Sequence, residues 1–414
     1  MDIVIISDFP GSFEGKDNDR FVYLINMIKD KHDVELITSD FNHGKKKHFE
    51  SVPEVEGYKL TMLHELSYPK NVCLKRFRAH KVWADNVIKY LKKRKKPDVI
   101  YSAVPPFLAA NYVAKYCNKN GIRFIIDVQD LWPEAFQMVF NVPVISSIIF
   151  APFKAIANGV YKRADDIVAV SQTYVDRALS VNKKCKEGHS VFLGTNLSDF
   201  DRNVRENPVT TKPSGEIWMG YCGTLGSSYD LTTVFDAMRL IEKKGLKTPK
   251  FIVMGKGPRE DEFKEKAKGL NVEFTGMLPY ARMCGLLAAC DFVINPITHN
   301  AAQSIINKHA DYAAVGLPVI NTQECKEYKD LVSDKNMGFN IPNSDPESMA
   351  EKIIQLCNNP KLREEQGRNS RLCAEELFDR AKTYGELSDI ITEDISLVEK
   401  EISSGGGVCN TRQG

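Results

Sequence analysis

The chain has 414 residues, of which 43% are hydrophobic and 27% are charged, so it is long enough for two or three ordinary globular domains. Its formal net charge of +2 excludes a global electrostatic attraction to nucleic acid. The ten cysteines are scattered without a CxxC pair or metal-ligand spacing, which predicts a reducing, cytoplasmic environment rather than a disulfide framework or a metal centre.

Strand-like runs alternate with helical patterns from the first residues onward. The N-terminal MDIVIISDFP enters a strand directly, so we expect no signal peptide, and no apolar run reaches the roughly 18 residues of a spanning helix. The predicted strands are Ile3–Ser7, Val34–Thr38, Val99–Ser102, Phe124–Val128, Ile167–Ser171, Trp218–Cys222, Lys250–Met254, Val272–Phe274, Phe292–Asn295 and Pro318–Asn321. Helical patterns lie between them, such as Asn18–Asp30, His80–Lys93 and Leu231–Lys243.

This β–α alternation occurs twice, which predicts an α/β fold with two doubly wound, parallel-sheet domains. We place the first domain at residues 1–198, a polar linker at 199–215 and the second domain at 216–380. A helix over 381–402 is expected to cross back to the first domain. The Gly-rich tail at 403–414 is expected to be disordered.

The loop from Asp8 to Asp19 joins the first predicted strand to the first helix and contains Gly15. Its string Asp17-Asn18-Asp19 matches the D-x-D pattern of some divalent-metal sites. Because the string stands at a helix start, we interpret Asp17 or Asn18 as the N-cap rather than as a metal ligand.

A compact basic run, Lys92–Lys96, ends the helix predicted over His80–Lys93. Each basic residue near an anionic bilayer contributes about 1 kcal/mol of attraction, so the run predicts peripheral contact with the inner face of a plasma membrane. The alternative is that these charges complement the dipole at the C-terminal end of a helix.

An acidic string, Asp127-Val128-Gln129-Asp130-Leu131-Trp132-Pro133-Glu134, follows the fourth predicted strand. Carboxylates clustered at a strand end are costly unless they are solvated or used, so Asp130 and Glu134 are candidates for the site. For Asp127 we favour a structural role, in which its side chain caps backbone N–H groups of the loop.

Three strand-to-helix turns of the second domain are candidates for binding a phosphorylated ligand. Strand Trp218–Cys222 runs into Gly223-Thr224-Leu225-Gly226, and a Gly-rich turn lets the backbone approach a phosphate closely. Lys256 follows the strand Lys250–Met254, where its alternative is a solvated turn lysine. Met277 and Leu278 follow the next strand and would otherwise be ordinary core residues.

The segment Asn307–Ile320 carries a short predicted helix that ends at Gly316 and leads into a buried strand. Backbone N–H groups and the positive dipole end at a helix N-terminus suit phosphate, and Lys308 adds a point charge. Asp311 stands one helical turn further on, so a cation and a carboxylate could serve the diphosphate and the ribose of one nucleotide. The alternative is a solvated ion pair on an amphipathic helix.

This last segment resembles the signature of family 4 glycosyltransferases, retaining enzymes of the GT-B fold, in their bacterial capsule and O-antigen polysaccharide branch. The shared residues are Asn307, Lys308, Tyr312, Ala314, Gly316, Pro318, Val319 and Ile320. The string that ends at Glu134 resembles the D-x-x-D-L-W-P-E of the same branch. Asp311 stands where the family has Glu, and Gln303 stands where the family has a second Glu.

The resemblance implies two Rossmann-like domains that face a cleft, with a nucleotide-sugar donor on the second domain and the acceptor on the first. It implies catalytic roles for Lys308, Asp130 and Glu134. The donor-binding residues that it implies are Gly15, Gly223, Leu225, Gly226, Lys256, Met277, Leu278, His299, Gln303, Ser304 and Asp311. His299 could equally be a surface residue.

The function implied by the resemblance is retaining transfer of a sugar, from a UDP-sugar above other donors, to a polyprenyl-diphosphate-linked saccharide in surface polysaccharide assembly. Enzymes of this type need no metal and no further cofactor. Two alternatives stay open. One is a non-catalytic GT-B-like subunit that activates a partner transferase, as Gln303 and the absence of a loop Arg or Lys would suggest. The other is a nucleotide-sugar epimerase.

Overall fold

The computed structural model describes residues 1–9, 13, 19–70, 73–131, 143–299, 301 and 304–393. Two parallel sheets organise these residues: a seven-stranded sheet of order β5-β2-β1-β6-β7-β8-β9 and a six-stranded sheet of order β12-β11-β10-β13-β14-β15. The strands of the first sheet are β1 (Asp2–Ile6), β2 (Asp33–Ser39), β5 (Lys59–Leu63), β6 (Val99–Val104), β7 (Arg123–Val128), β8 (Asp166–Ala169) and β9 (His189–Ser190). Those of the second are β10 (Trp218–Cys222), β11 (Lys250–Met254), β12 (Val272–Gly276), β13 (Phe292–Asn295), β14 (Val319–Asn321) and β15 (Gly338–Asn340).

The central strands form because their apolar runs are buried on both faces by crossover helices. A short antiparallel hairpin, β3 (Phe41–Asn42) and β4 (Lys47–His48), lies beside the first sheet. The first-domain helices are α1 (Arg20–Ile28), α2 (Leu74–Leu91), α3 (Phe107–Asn120), α4 (Pro143–Tyr161) and α5 (Gln172–Leu179). The later helices are α6 (Leu197–Glu206), α7 (Leu231–Lys243), α8 (Glu260–Lys266), α9 (Tyr280–Ala288), α10 (Asn307–Ala314), α11 (Lys326–Asp334), α12 (Pro346–Asn358), α13 (Pro360–Cys373) and α14 (Arg380–Thr392), with a π-helical turn at Ala374–Phe378.

Two predicted helix starts differ from the structure. The N-cap of α1 is Asp19, whose side chain accepts hydrogen bonds from the backbone N–H groups of Phe21 and Val22. The predicted caps Asp17 and Asn18 lie outside the described residues. Helix α2 begins at Leu74, earlier than the predicted His80, so the basic residues near Lys75 lie within its first turns.

The chain crosses from the first domain to the second at Thr195 and returns at Asp379. The Thr195 N–H donates to the carbonyl of Phe378 at 2.8 Å, and the Arg380 N–H donates to the carbonyl of Thr195 at 3.0 Å. Helix α14 then packs on the first domain, where Tyr384 and Leu387 join the core beneath α1. Its described part ends before 394, and the tail at 403–414 lies outside the described residues.

The segment predicted as a linker, 199–215, begins inside helix α6. Leu197 and Phe200 of this helix are buried in the core of the second domain. The segment therefore is helical only as far as Glu206 and continues without helix or strand to residue 215. The density of polar residues in the segment did not reveal that the helix is anchored by two buried side chains. Among the described residues, no helix combines the length and the hydropathy needed to cross a bilayer.

Candidate active site

Two glycine turns form the floor of a cleft at the carboxyl ends of β10 and β11. Gly223 has φ +145° and Gly255 has φ +153°, conformations that favour glycine. The two turns lie backbone against backbone, since a Cβ added to Gly255 would stand 1.8 Å from the carbonyl oxygen of Gly223. The Gly223 N–H donates to the Met254 carbonyl at 2.9 Å. This contact leaves backbone, rather than side chains, facing the space above the strand ends.

The cleft above these turns has a volume of about 510 Å³. It is lined by Cys222, Gly223, Thr224, Tyr229, Met254, Gly255, Lys256, Met277, Leu278, Tyr280, Met283, Ile306, Asn307, Lys308 and Asp311. The lining includes several apolar and sulfur-containing side chains, among them Met277, which leaves 72% of its surface exposed. It also includes the N-terminus of α10. A ligand with a flat apolar part and an anionic part fits such a mixed lining.

Lys308 places a buried ammonium in the cleft, from the first turn of α10. The residue is only 7% exposed, and its Nζ has no hydrogen-bond partner among the described residues. Nζ stands 3.8 Å from the ring centroid of Tyr229 and 4.5 Å from that of Tyr221. Burial lowers the pKa of Lys308 to about 7. A desolvated cation that stands over ring faces, without a hydrogen-bond partner in the described part of the chain, favours the binding of an anion.

Asp311 lies on the same helix, and its residue is only 6% exposed. Burial raises the pKa of Asp311 to about 6, against a hydrogen bond from Tyr280 that lowers it. The Tyr280 hydroxyl donates to Asp311 Oδ1 at 2.7 Å. The second carboxylate oxygen is the part of this group that can accept hydrogen bonds from ligand hydroxyls.

Two residues that the sequence analysis did not single out as site residues hold α10 in place. His309 Nδ1 accepts a hydrogen bond from the Ile306 N–H at 3.1 Å, which caps the helix start, and its ring stacks on Tyr328 at 3.7 Å. Burial keeps the pKa of His309 well below its usual value, so the ring is neutral and can accept. The Tyr312 hydroxyl donates to the Ile294 carbonyl and accepts from the Cys222 N–H. Only Tyr312 had a sequence signal, as part of the shared motif.

Six of the predicted donor or catalytic residues line this cleft, and they are Gly223, Lys256, Met277, Leu278, Lys308 and Asp311. Three other predicted residues, Gly15, Gln303 and Glu134, lie outside the described residues. The structure therefore brings together the two glycine turns, Lys308 and Asp311 in the cleft at the carboxyl ends of β10 and β11.

The remaining predicted donor residues lie elsewhere. Leu225 is fully buried in the core, because its apolar side chain points away from the cleft, and Gly226 is next to it in the same turn. His299 pairs with Glu324 at 2.6 Å beside a separate cavity. Ser304 is buried, and its hydroxyl donates to Glu327 at 3.3 Å. These side chains do not line the cleft described above.

A second cavity of about 390 Å³ lies between the domains. Asp130 lines it from the first domain and Asn307 lines it from the second, and Asn307 also lines the first cleft. Asp127 is fully buried and forms an ion pair with Arg20 at 2.7 Å. Its role is therefore structural, as expected, but through an ion pair instead of the expected backbone caps.

Within the described part of the first domain, two groups of histidine and carboxylate side chains have spacing that could hold a metal ion. They are Asp40 with His48 and His64, and Asp8 with Glu65 and His80. Neither group includes a residue that lines the cleft at Lys308. The buried group already has a cation beside it, since Arg76 Nε donates to His80 Nε2 at 3.0 Å, which disfavours a metal there.

The second domain matches a protein-family model described as "Glycosyl transferases group 1", over residues 216–359. Probable glycosyltransferase WbjE of Pseudomonas aeruginosa is 21% identical over 282 residues, which cover 65% of this chain and 68% of that protein. O-antigen chain mannosyltransferase C of Escherichia coli is 26% identical over 217 residues, which cover 52% of this chain and 57% of that protein.

The fold is similar to that of a solved bacterial structure across almost the whole chain. The crystal structure of HepE of Anabaena in complex with UDP aligns with a TM-score of 0.66 at 15% identity. The alignment covers 98% of this chain and 100% of that one. At this identity the likeness shows the fold alone, which in this chain has two domains with parallel sheets.

Proposed function

We propose that this chain, which is a glycosyltransferase of the GT-B fold, transfers a sugar from a UDP-sugar to a polyprenyl-diphosphate-linked saccharide, with retention at the anomeric carbon. The sequence motifs and the O-antigen relative support the proposed acceptor class and the proposed branch, family 4 enzymes of capsule and O-antigen assembly. The bound UDP of HepE supports uracil as the base of the donor.

The observation that carries the proposal is the buried ammonium of Lys308 at the start of α10, from which no described residue accepts a hydrogen bond. Removing an ammonium from water without an anion is costly, so the site is built for a partner that arrives with the substrate. A diphosphate at this position accepts from the Lys308 ammonium and from the first N–H groups of the helix. The uracil would lie against Met277 and Leu278, and the ribose hydroxyls would donate to Asp311.

The chemistry that this arrangement supports is electrostatic. The bond between the sugar C1 and the diphosphate oxygen breaks, and a bond from C1 to the acceptor oxygen forms on the same face. The acceptor proton passes to the departing diphosphate oxygen. Lys308 and the helix N–H groups stabilise the growing negative charge on UDP, and no metal or further cofactor takes part in this scheme.

The acceptor would enter through the cavity that Asp130 and Asn307 line. Because Asn307 borders both cavities, the two substrates can meet at this residue. In this proposal the Asp130 carboxylate accepts a hydrogen bond from an acceptor hydroxyl. Glu134, the other acceptor-side candidate, stays a prediction because it lies outside the described residues.

The proposal is tested by UDP release from UDP-sugars with and without a lipid-linked saccharide, followed by NMR of the product's anomeric proton. Release that requires acceptor, with the donor's anomeric configuration kept, supports a retaining transferase. Acceptor-independent conversion of the sugar would indicate an epimerase instead. Release that is absent alone but restored by a partner transferase would indicate the non-catalytic subunit.

The pH profile of kcat/KM for the donor is expected to be bell-shaped with a narrow optimum. Below about 6 Asp311 gains a proton and loses its charge as an acceptor, and above about 7 Lys308 loses its proton in the free enzyme. Efficiency is therefore highest between these two values, because kcat/KM reports the free enzyme. In Lys308→Met the alkaline limb should disappear. An alkaline limb that the variant keeps would show that another group titrates there.

We also propose that the protein contacts an anionic membrane, where a polyprenyl-linked acceptor resides. Of the basic run 92–96, Arg94 is occupied, since it pairs with Asp2 at 2.7 Å and with Glu35 at 2.9 Å. Asp2 starts β1, so the run lies at the sheet edge opposite to the cleft. Helix α2 has 18 residues and is about 27 Å long, which separates this run from the helix's other end.

That other end of α2 carries an exposed apolar group, Leu74, Phe77 and Phe153, which we name the aromatic patch. Leu74 is 86% exposed, and the rings of Phe77 and Phe153 are 5.3 Å apart. Exposed basic residues flank it, including Lys75, Arg78 and Lys154. Arg76 of the same helix turn lines the interdomain cavity, so a membrane on the aromatic patch lies close to the acceptor path.

Replacing Phe77 and Phe153 with Ser is expected to weaken sedimentation with anionic vesicles about tenfold or more, because each buried aromatic ring contributes roughly 1.5–3 kcal/mol. The comparison variant replaces Lys92, Lys93, Lys95 and Lys96 with Ser and keeps Arg94, whose ion pairs support the fold. A larger loss of sedimentation in this lysine variant than in the aromatic variant would indicate that the basic run, and not the aromatic patch, contacts the membrane. Equal sedimentation of all three proteins would contradict membrane contact through either surface.

A further inference from the structure

The carboxylate of Asp311 is held by a tyrosine that belongs to a different helix. Asp is one methylene shorter than the Glu found at this position in the family that the chain resembles. The Tyr280 hydroxyl, at the start of α9, donates to Asp311 Oδ1 at 2.7 Å. A buried carboxylate with a fixed donor on one oxygen has a defined orientation, so its other oxygen keeps one direction.

The same hydroxyl also contacts Thr195, with 3.0 Å between the Tyr280 and Thr195 oxygens. A phenol has one hydrogen, and Tyr280 gives it to Asp311, so the Thr195 hydroxyl must be the donor in the second bond. The three groups form a directed chain from Thr195 through Tyr280 to Asp311. Each bond of such a chain polarises the next and strengthens it.

Thr195 lies at the point where the chain passes between the domains. It is 1% exposed, and its N–H and carbonyl both bond to the returning segment at Phe378 and Arg380. The crossing segment is therefore fixed, and the hydrogen-bond chain ties the carboxylate in the cleft to it.

We propose that Tyr280 is a positioning residue that orients Asp311 for the donor's ribose and compensates for the short Asp side chain, with Thr195 anchoring it at the domain crossing. The inference rests on the proposed function, because it takes the cleft at Lys308 as the donor site. Tyr280 itself lines that cleft, although no motif in the sequence marks it.

The direct test is Tyr280→Phe, which removes both hydrogen bonds and keeps the ring. Donor KM is expected to rise about tenfold while kcat changes little, because a hydrogen bond to a charged group is lost from ground and transition states alike. The acid limb of kcat/KM should also move to higher pH. Burial raises the pKa of Asp311, and both the Tyr280 hydrogen bond and the charge of Arg380 lower it. The variant keeps Arg380 and loses only the hydrogen bond, so the pKa of Asp311 should rise further.

A rescue separates positioning from a general structural effect. Asp311→Glu alone should raise donor KM, since the longer side chain meets the Tyr280 hydroxyl that stands 2.7 Å from Asp311. Combined with Tyr280→Phe, the same substitution should restore KM to within about threefold of wild type, because the longer side chain reaches the ribose without support. Thr195→Val should produce a smaller KM effect that vanishes in the Tyr280→Phe background.

The matched control is Tyr116→Phe, which removes a hydroxyl that donates to the Leu91 carbonyl at 2.9 Å in the first domain. It should leave donor KM and the acid limb unchanged. The proposal would be overturned if Tyr280→Phe kept the donor KM and the acid limb of wild type. It would also be overturned if the double variant had a donor KM as high as that of Tyr280→Phe. The proposed function fails separately, if wild-type protein is not stabilised by UDP against heat.

Discussion

Replacing Lys308 with Met is expected to lower turnover by roughly 10²–10³, the scale for losing one preorganised electrostatic stabiliser of a leaving group. Met fills the same space between the rings of Tyr221 and Tyr229 without a charge. The loss should lie mainly in kcat, because the ammonium bonds more strongly to the departing diphosphate than to the bound donor. Steady-state kinetics with saturating acceptor measures both constants.

The same substitution should raise the melting temperature of the ligand-free protein. Between the folded pKa of about 7 and the ordinary value of 10.5, the unfolded chain binds more protons at Lys308 than the folded one does. Wild-type stability therefore rises with pH across that window, and the variant should lack this rise. Lys256→Ala is the matched control, because this exposed lysine borders the same cleft and should change turnover less than fivefold, or by under about 1 kcal/mol. Turnover of Lys308→Met near that of wild type would contradict the phosphate role.

Gly255→Ala is expected to lower the free energy of unfolding by about 3 kcal/mol or more and to abolish donor binding. The residue has φ +153°, and an added Cβ would stand 1.8 Å from the Gly223 carbonyl oxygen. The atoms that the new Cβ would meet belong to the backbone of Gly223, which cannot move aside as the end of a flexible side chain can. The two glycine turns must therefore separate. Urea unfolding and calorimetric titration with UDP measure the two effects.

Gly245→Ala is the control for backbone strain alone. Gly245 also has positive φ, at +70°, but an added Cβ there meets nothing within 4 Å. It should lower stability by only about 1 kcal/mol and leave UDP binding unchanged. Equal losses in the two variants would mean that strain at positive φ, and not the packing of the two turns, decides the effect.

Much of the architecture could be predicted because buried parallel strands are continuous apolar runs. All ten predicted strands overlap strands of the structure, and the expected GT-B fold and glycosyltransferase activity are confirmed. The edge strands β5, β9 and β15 were missed, since they are short or partly exposed and lack such a run. The sequence pattern did not predict helix α6 either, because the residues that it buries are only Leu197 and Phe200, too few for a visible apolar periodicity.

The site was predictable where one short segment carries several of its groups, as Asn307–Ile320 does for Lys308 and Asp311. It was not predictable where a contact joins distant elements. Tyr280 and Asp311 are 31 positions apart, and no periodicity connects a hydroxyl on one helix to a carboxylate on another. His299 shows the same limit, because its pairing with Glu324 depends on the path of two loops.

The most direct test of the central claim, that Lys308 binds the donor diphosphate as an ammonium, is proton uptake on UDP binding at pH 8. Calorimetric titrations in buffers of different ionisation enthalpy give the number of protons taken up. Free Lys308 has a pKa of about 7 and is mostly neutral at this pH. A bound diphosphate favours the charged form of Lys308, so wild type should take up about one proton per UDP and Lys308→Met none. Binding by wild type without proton uptake, or the same uptake by both proteins, would contradict the account.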